Sequence, residues 1–216
     1  DLNESANLLS RVRELAVAGA NDGLSALDRE TMAGEVASLR AQLLDLANVR
    51  FDGEHLFSGL ATDRPPFDAA GVFGGAPVVR ELEVGPGLRL PTQVSGAEIF
   101  GGAPGTVNVF GTLDSLEAAL RADDRTATAG VLDEIEAAVG QVAQGQASAG
   151  NAQQALTQAR AVAERAREEA MRRRSDLTEA TPVEAFTDLV RAESALREAL
   201  SIASRMPPPS LVQMGG

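Results

Sequence analysis

Met32, Val36, Leu39, Leu43 and Leu46 advance by four, three, four and three residues, a spacing that stacks all five on one stripe of an α-helix and scatters them over both faces of a strand. A seam of this kind, two heptads long, wants another helix laid against it. The stretch before it has the same character. Leu8, Val12, Leu15 and Gly19 share one face, Leu2, Leu9 and Ala16 lie beside them, and the pattern stops near residues 21–23. Hydrophobic residues make up 44% of the 216 positions, yet aromatic residues supply 3%, with seven Phe and neither Trp nor Tyr. The apolar content is therefore mostly Ala, Leu and Val, which suits closely approaching helices.

The middle of the chain changes period. Asp52-Gly53 is a two-residue turn signal with Phe51 on one side and Leu56 and Phe57 on the other, and it predicts a type I′ β-hairpin. His55, the single histidine, is expected on the surface of that hairpin. Gly and Pro are dense from 59 to 111. Within that stretch Val78, Leu82 and Val84, then Leu88, Leu90 and Val94, then Val107 and Val109 alternate with other residues and predict three short strands.

Helical spacing returns with Asp114 as the expected N-cap before Leu116 and Leu120, and a second cap at Asp123-Asp124 is expected to open a very long helix. Its first seam is Leu132, Ile135, Val139 and Val142. The stripe then thins to Ala149, Leu156, Ala159, Ala163, Ala166 and Ala170, and Arg160, Arg165, Arg167 and Arg172 to Arg174 gather toward the end, where they complement the helix dipole. Thr181-Pro182 predicts the start of a last helix, and Pro207 to Pro209 its end. In that last helix Phe186, Leu189, Leu196, Leu200 and Ala203 form one stripe, with Ala185, Ala192, Ala195, Ala199 and Ile202 beside it. One apolar face is enough to dock a helix on its own domain. Two adjacent faces of unequal bulk mark the larger stripe as the expected helix–helix assembly interface.

The expected fold is mainly α, an elongated rod of long antiparallel helices with a β-hairpin and a small β-rich insert. Residues 1–49 and 111–180 would form the helical rod, 50–110 the hairpin and insert, and 181–216 a C-terminal assembly helix and tail. The first residue is Asp1 and helical spacing is under way by Asn3, so the sequence reads as lacking a preceding helix.

The same residues remove several chemistries. There is no Cys and all 19 basic residues are Arg, so thiolate nucleophiles, disulfides, a P-loop lysine and Schiff-base chemistry are excluded. One His without Cys cannot make a zinc site. Asp123-Asp124 and Glu168-Glu169 sit in helical contexts that explain them by capping and solvation. Gly74-Gly75 and Gly101-Gly102 lack the strand-to-helix setting of a phosphate loop. With 31 acidic residues and a formal charge of −12, a nucleic-acid partner is not expected, and Arg172 to Arg174 read as a solvated face. No stretch approaches the roughly 20 apolar residues of a membrane span. The reading is of a protein that is not an enzyme and takes no cofactor or metal.

Two stretches carry a family resemblance. Residues 11–17, RVRELAV, are similar to the first helix of the flagellin rod domain. Residues 35–67, EVASLRAQLLDLANVRFDGEHLFSGLATDRPPF, resemble the hook-filament junction proteins of the flagellin superfamily, chiefly in Leu46-Ala47-Asn48, Gly53, Leu56-Phe57-Ser58-Gly59 and Pro66-Phe67. The likeness continues through residues 94–100 and, more weakly, through Ala149-Gly150-Asn151 to Ser210-Leu211. The resemblance implies a structural flagellar subunit joining hook-associated proteins to the flagellin filament. It implies an extracellular protein exported by the flagellar type III apparatus, assembled with itself in a ring, and gripped at its C-terminal segment by an export chaperone. The alternatives are a minor flagellin that builds filament and a secreted helical adhesin or interaction module.

Overall fold

The computed structural model describes residues 1–205 other than 86 and 92, with side chains described at these positions other than 88, 178–184 and 203–205. Contacts group the chain into two units, Asp1–Ala159 and a second that begins at Arg160.

In the first unit, helix α1 (Leu2–Gly19) buries Leu9, Val12, Leu15, Ala16 and Gly19. Helix α2 (Ala26–Ala47) starts in a capping box: the Ser25 hydroxyl accepts from the Asp28 amide at 3.2 Å, and the Asp28 carboxylate accepts from the Ser25 amide at 3.0 Å. Val36, Leu39 and Leu43 of the seam are buried, while Met32 and Leu46 are half-buried. The seam meets helices of its own unit, α1 and above all α4 (Val109–Arg121).

Helix α4 corrects two expectations. Val109 opens a helix instead of ending a third strand, and Asp114 lies inside that helix instead of capping it. The Asn108 side chain accepts from the Gly111 amide at 3.1 Å and supplies the cap, and Val109, Leu113, Leu116 and Leu120 then repeat at helical steps. Two Val residues two apart were too short a run to settle the period. Asp114 instead pairs with Arg40, whose Nε lies 2.5 Å from one carboxylate oxygen. The Asp123-Asp124 signal does cap a helix, with Asp124 accepting from the Ala127 amide at 2.9 Å. That helix is the short α5 (Arg125–Gly130), which gives way at Val131 before α6 (Leu132–Arg205) begins.

Strands β1 (Arg50–Phe51) and β2 (Glu54–His55) pair antiparallel, Arg50 with His55 and Phe51 with Glu54. Asp52 and Gly53 between them have φ of 51° and 85°, the positive values a type I′ turn requires. Strands β3 (Glu81–Gly85) and β4 (Leu88–Pro91) form a second antiparallel pair in which Leu82 faces Leu90. The stretch after β4 turns into a short helix, α3 (Gly96–Phe100), which the alternation through Val94 did not suggest.

His55 also departs from expectation. It is 6% exposed, its Nδ1 lies 2.8 Å from the Asn48 carbonyl oxygen, and its amide donates to the Thr62 carbonyl. Asn48 closes the same corner: its side chain donates to the Phe67 carbonyl and accepts from the Phe67 amide, both at 3.0 Å. The hairpin is thereby folded back onto the end of α2, and the ring is covered.

Segment 50–110 supplies the bulk of the core that the helices lack. Phe67 sits at the centre, with ring centroids 5.3 Å from Phe73, 5.8 Å from Phe100 and 5.2 Å from Phe110, and Phe57 meets Phe100 edge-on at 5.6 Å. Phe110 belongs to α4 and Phe100 to α3, so the aromatic cluster is continuous with the helical seams. Ile135, Ala138 and Val142 of α6 complete it.

Among the described residues, the second unit is the part of α6 from Arg160 onward. Helical backbone runs through Thr181-Pro182, where a new helix was expected to begin; proline's fixed φ is compatible with a helix, at the loss of one hydrogen bond. The expected stop at Pro207 to Pro209 lies outside the described residues.

Candidate assembly surfaces

The early part of α6 is fastened by polar side chains. Gln141 Nε2 donates to the carbonyls of Ile99 at 2.9 Å and Val107 at 3.1 Å, while its Oε1 accepts from the Val107 amide at 2.9 Å. One glutamine thus satisfies three backbone groups, the Ile99 carbonyl near the end of α3 and both the carbonyl and the amide of Val107 in the loop before α4. One turn on, Gly145 lies so close to Ile99 that a Cβ there would come within 2.7 Å of its Cγ1. Gln146 donates to the Leu2 carbonyl at 2.9 Å.

A second fastening sits where α1 turns into α2. Arg29 is 3% exposed and donates to the carbonyls of Gly19, Leu24 and Asn21 at 2.9, 3.0 and 2.6 Å, and to Asp123 at 2.5 Å. It satisfies the end of α1 and reaches the α4–α5 turn, where Asp123 has a positive φ of 54°. Neither Arg29 nor Gln141 was singled out from sequence. A lone Arg or Gln on a helix looks the same whether it meets solvent or a carbonyl.

The second unit is different. From Arg160 through Ile202 every described side chain is exposed except the half-buried Ala161. Phe186 is 68% exposed, Leu189 56%, and Leu196 and Leu200 each 61%. These are four of the five residues expected to form an assembly interface, and they share one helix; the side chain of Ala203 lies outside the described residues. Ile202 of the neighbouring stripe is 60% exposed. Exposed pairs at four-residue spacing, such as Arg160 with Glu164 at 3.1 Å and Arg172 with Glu168 at 3.5 Å, join Arg173–Glu169 along the helix. Such pairs contribute a few tenths of a kcal/mol each, far less than burial of the Leu stripe would. Among the described residues no group of three or more His, Asp or Glu is arranged to hold a metal ion, and no helix is long and apolar enough to cross a membrane.

Residues 1–62 match the family model described as the bacterial flagellin N-terminal helical region. Over 149 residues, 59% of this chain, the sequence is 30% identical to flagellar hook-associated protein 3 of Escherichia coli strain K12, and over 134 residues it is 30% identical to flagellar hook-associated protein 3 of Salmonella typhimurium. Over these stretches the chain is similar to flagellar hook-associated protein 3. It spans 47% and 42% of the lengths of these two relatives. The fold agrees: the crystal structure of Xanthomonas campestris FlgL superposes with a TM-score of 0.72 at 18% identity, covering 81% of this chain and 91% of that one. Flagellar hook-associated protein 3 of Legionella pneumophila gives 0.72 at 17% identity, covering 82% and 90%. The resemblance drawn from residues 35–67 is borne out, as is a mainly helical, flagellin-like fold with a hairpin and a second small sheet.

Proposed function

We propose that this protein is a structural subunit at the junction between hook-associated proteins and the flagellin filament. The observation that carries the reading is the 30% identity to flagellar hook-associated protein 3 over more than half the chain. The exposed stripe on α6 supports it. Phe186, Leu189, Leu196, Leu200 and Ala203 are the proposed contacts with neighbouring subunits, which are a hook-associated protein on one side, flagellin on the other and further copies of this chain around a ring. Export through the flagellar type III apparatus, assembly outside the cell and chaperone capture of the C-terminal segment belong to the same proposal. The role is mechanical rather than catalytic.

Each fully buried Leu contributes about 1.5–3 kcal/mol, so losing two from one contact removes most of what holds it. Leu196→Asp with Leu200→Asp should therefore leave the first unit folded, because both side chains are exposed in this chain, while cells carrying the pair export the protein and show hooks without attached filaments. Normal filaments in those cells would move the assembly surface elsewhere. Matching of residues 1–62 to the flagellin helical region keeps the minor-flagellin reading as a rival. Long filaments built by this protein alone, in cells lacking other flagellins, would favour that rival.

A further inference from the structure

The apolar stripe on α6 carries a charge in its middle. Phe186, Leu189, Glu193, Leu196 and Leu200 advance by three, four, three and four residues, so Glu193 occupies a seam position between two leucines. Its side chain is 58% exposed, and Arg197 Nη2 lies 3.6 Å from Glu193 Oε2 along the same helix. Every side chain from 185 to 202 is exposed, so no described residue covers the seam.

The charge discriminates among covers. Parallel, in-register pairing with a second copy would set Glu193 against Glu193, like charge against like, in a closing interface. Antiparallel pairing with the two-fold axis between Ser194 and Ala195 does the reverse. Leu189 then faces the partner's Leu200, Glu193 faces the partner's Leu196, and Phe186 falls level with Ala203, a large residue against a small one. Arg197 follows Leu196 directly, so the guanidinium of each chain comes beside the carboxylate of the other, and two symmetric ion pairs form across the interface. Ala192 and Ala199 come level on the adjoining side, where small side chains let helix axes close in. A two-fold interface requires that i meet j and j meet i, and this register meets that demand at each seam position.

We infer that free subunits pair through this stripe as a two-fold antiparallel helical dimer, which caps the surface that assembly uses. The inference rests on the junction reading only for the use of that surface. The occupant is a second copy because the stripe complements itself in size and in charge: any cover of the seam has to bring a cation level with Glu193, and a second copy brings Arg197. The paired stretch spans fewer than three heptads. The dimer is therefore weak and reversible, with a dissociation constant on the order of 100 µM, and contacts within a polymer can displace it.

The test is sedimentation velocity of the full chain at neutral pH from about 10 µM to about 1 mM, a range that brackets that constant. Wild type should pass from monomer to dimer, while Leu196→Asp with Leu200→Asp should stay monomeric throughout. Arg197→Glu should weaken the dimer about three- to tenfold, and adding Glu193→Arg should restore it. The chain has no Cys, so introduced thiols report the register. Leu189→Cys and Leu200→Cys chains, mixed, should be joined by a short bismaleimide. Either variant alone should not, because in this register its two thiols lie about three turns, roughly 16 Å, apart along the axis. Joining of each variant to itself but not to the other would show parallel pairing and overturn the proposal. So would a monomer up to about 1 mM, a trimer or larger species, a dimer that survives the Leu196 and Leu200 changes, or one indifferent to Arg197→Glu. These readouts use purified protein and do not depend on filament attachment in cells, so failure of the dimer and failure of the junction reading are told apart.

Discussion

Replacing Arg29 by Met keeps an unbranched stem in place and removes the guanidinium from four partners at once. Three are carbonyls at the end of α1 and the turn after it, and the fourth is Asp123. The Arg29 side chain is 3% exposed, whereas Asp123 is 49% exposed. The carbonyls lose a charged donor in a place water cannot easily refill, which by analogy with broken buried charge pairs costs about 3–5 kcal/mol. For a unit of this size that corresponds to a fall in Tm of roughly 6–20 °C. Asp123→Asn is the contrasting change. Asn tolerates a positive φ, and the half-solvated ion pair it removes is worth about 1 kcal/mol or less. Thermal and urea unfolding of both variants, followed by circular dichroism, should therefore separate them widely. Equal losses would show that the acid rather than the carbonyls holds Arg29. A loss below about 1 kcal/mol for Arg29→Met would refute the clasp altogether.

Asp28 offers a pH test. Its carboxyl is held below the ordinary value of 3.8, first by the Ser25 hydroxyl and then by the Ser25 amide, so its capping contribution is complete above pH 3.8 and fades as pH falls through the lower folded value. Asp28→Asn should be less stable than wild type at neutral pH, with the urea midpoints converging under stronger acid; a gap that persisted there would contradict the capping-box account. In the β1–β2 turn, Gly53 has φ of 85° and nothing within 4 Å of the place a Cβ would occupy, so Gly53→Val should cost roughly 1–2 kcal/mol from backbone strain, and thermal unfolding indistinguishable from wild type would count against the turn. Gly59→Ala should cost more, because a Cβ there would lie 1.9 Å from the Ala76 carbonyl oxygen at a φ of 63°.

The parts of this fold that sequence revealed are those whose signal is local and periodic. The α2 seam, the Asp52-Gly53 turn and the family motif at residues 46–59 each occupy a few consecutive turns of chain, and each could be read without knowing what lies across from it. The misreadings share a cause. Val107 and Val109 straddle a cap that depends on the Asn108 side chain, and His55 is covered because Asn48 reaches Phe67 nineteen positions away. Arg29 and Gln141 matter through partners outside their own helices, Asp123 for the one and Ile99 and Val107 for the other, and residue type alone carries no trace of them. The stripe on α6 was legible as a stripe, but the identity of its cover was not, because a Leu seam has the same period whether it meets its own chain or another.

Five of the seven phenylalanines, Phe57, Phe67, Phe73, Phe100 and Phe110, lie in one cluster, while Phe51 and Phe186 are 72% and 68% exposed. With no Trp, Tyr or disulfide in the chain, the near-ultraviolet dichroism of this protein is the spectrum of that single cluster. Far-ultraviolet dichroism, by contrast, sums every helix, including the exposed α6 residues from Arg160 onward. The molecule thus carries two built-in optical reporters that divide cleanly between tertiary packing and backbone. A melt in which the phenylalanine fine structure vanishes at one temperature while part of the helical signal vanishes at another would measure directly how far the two units unfold independently.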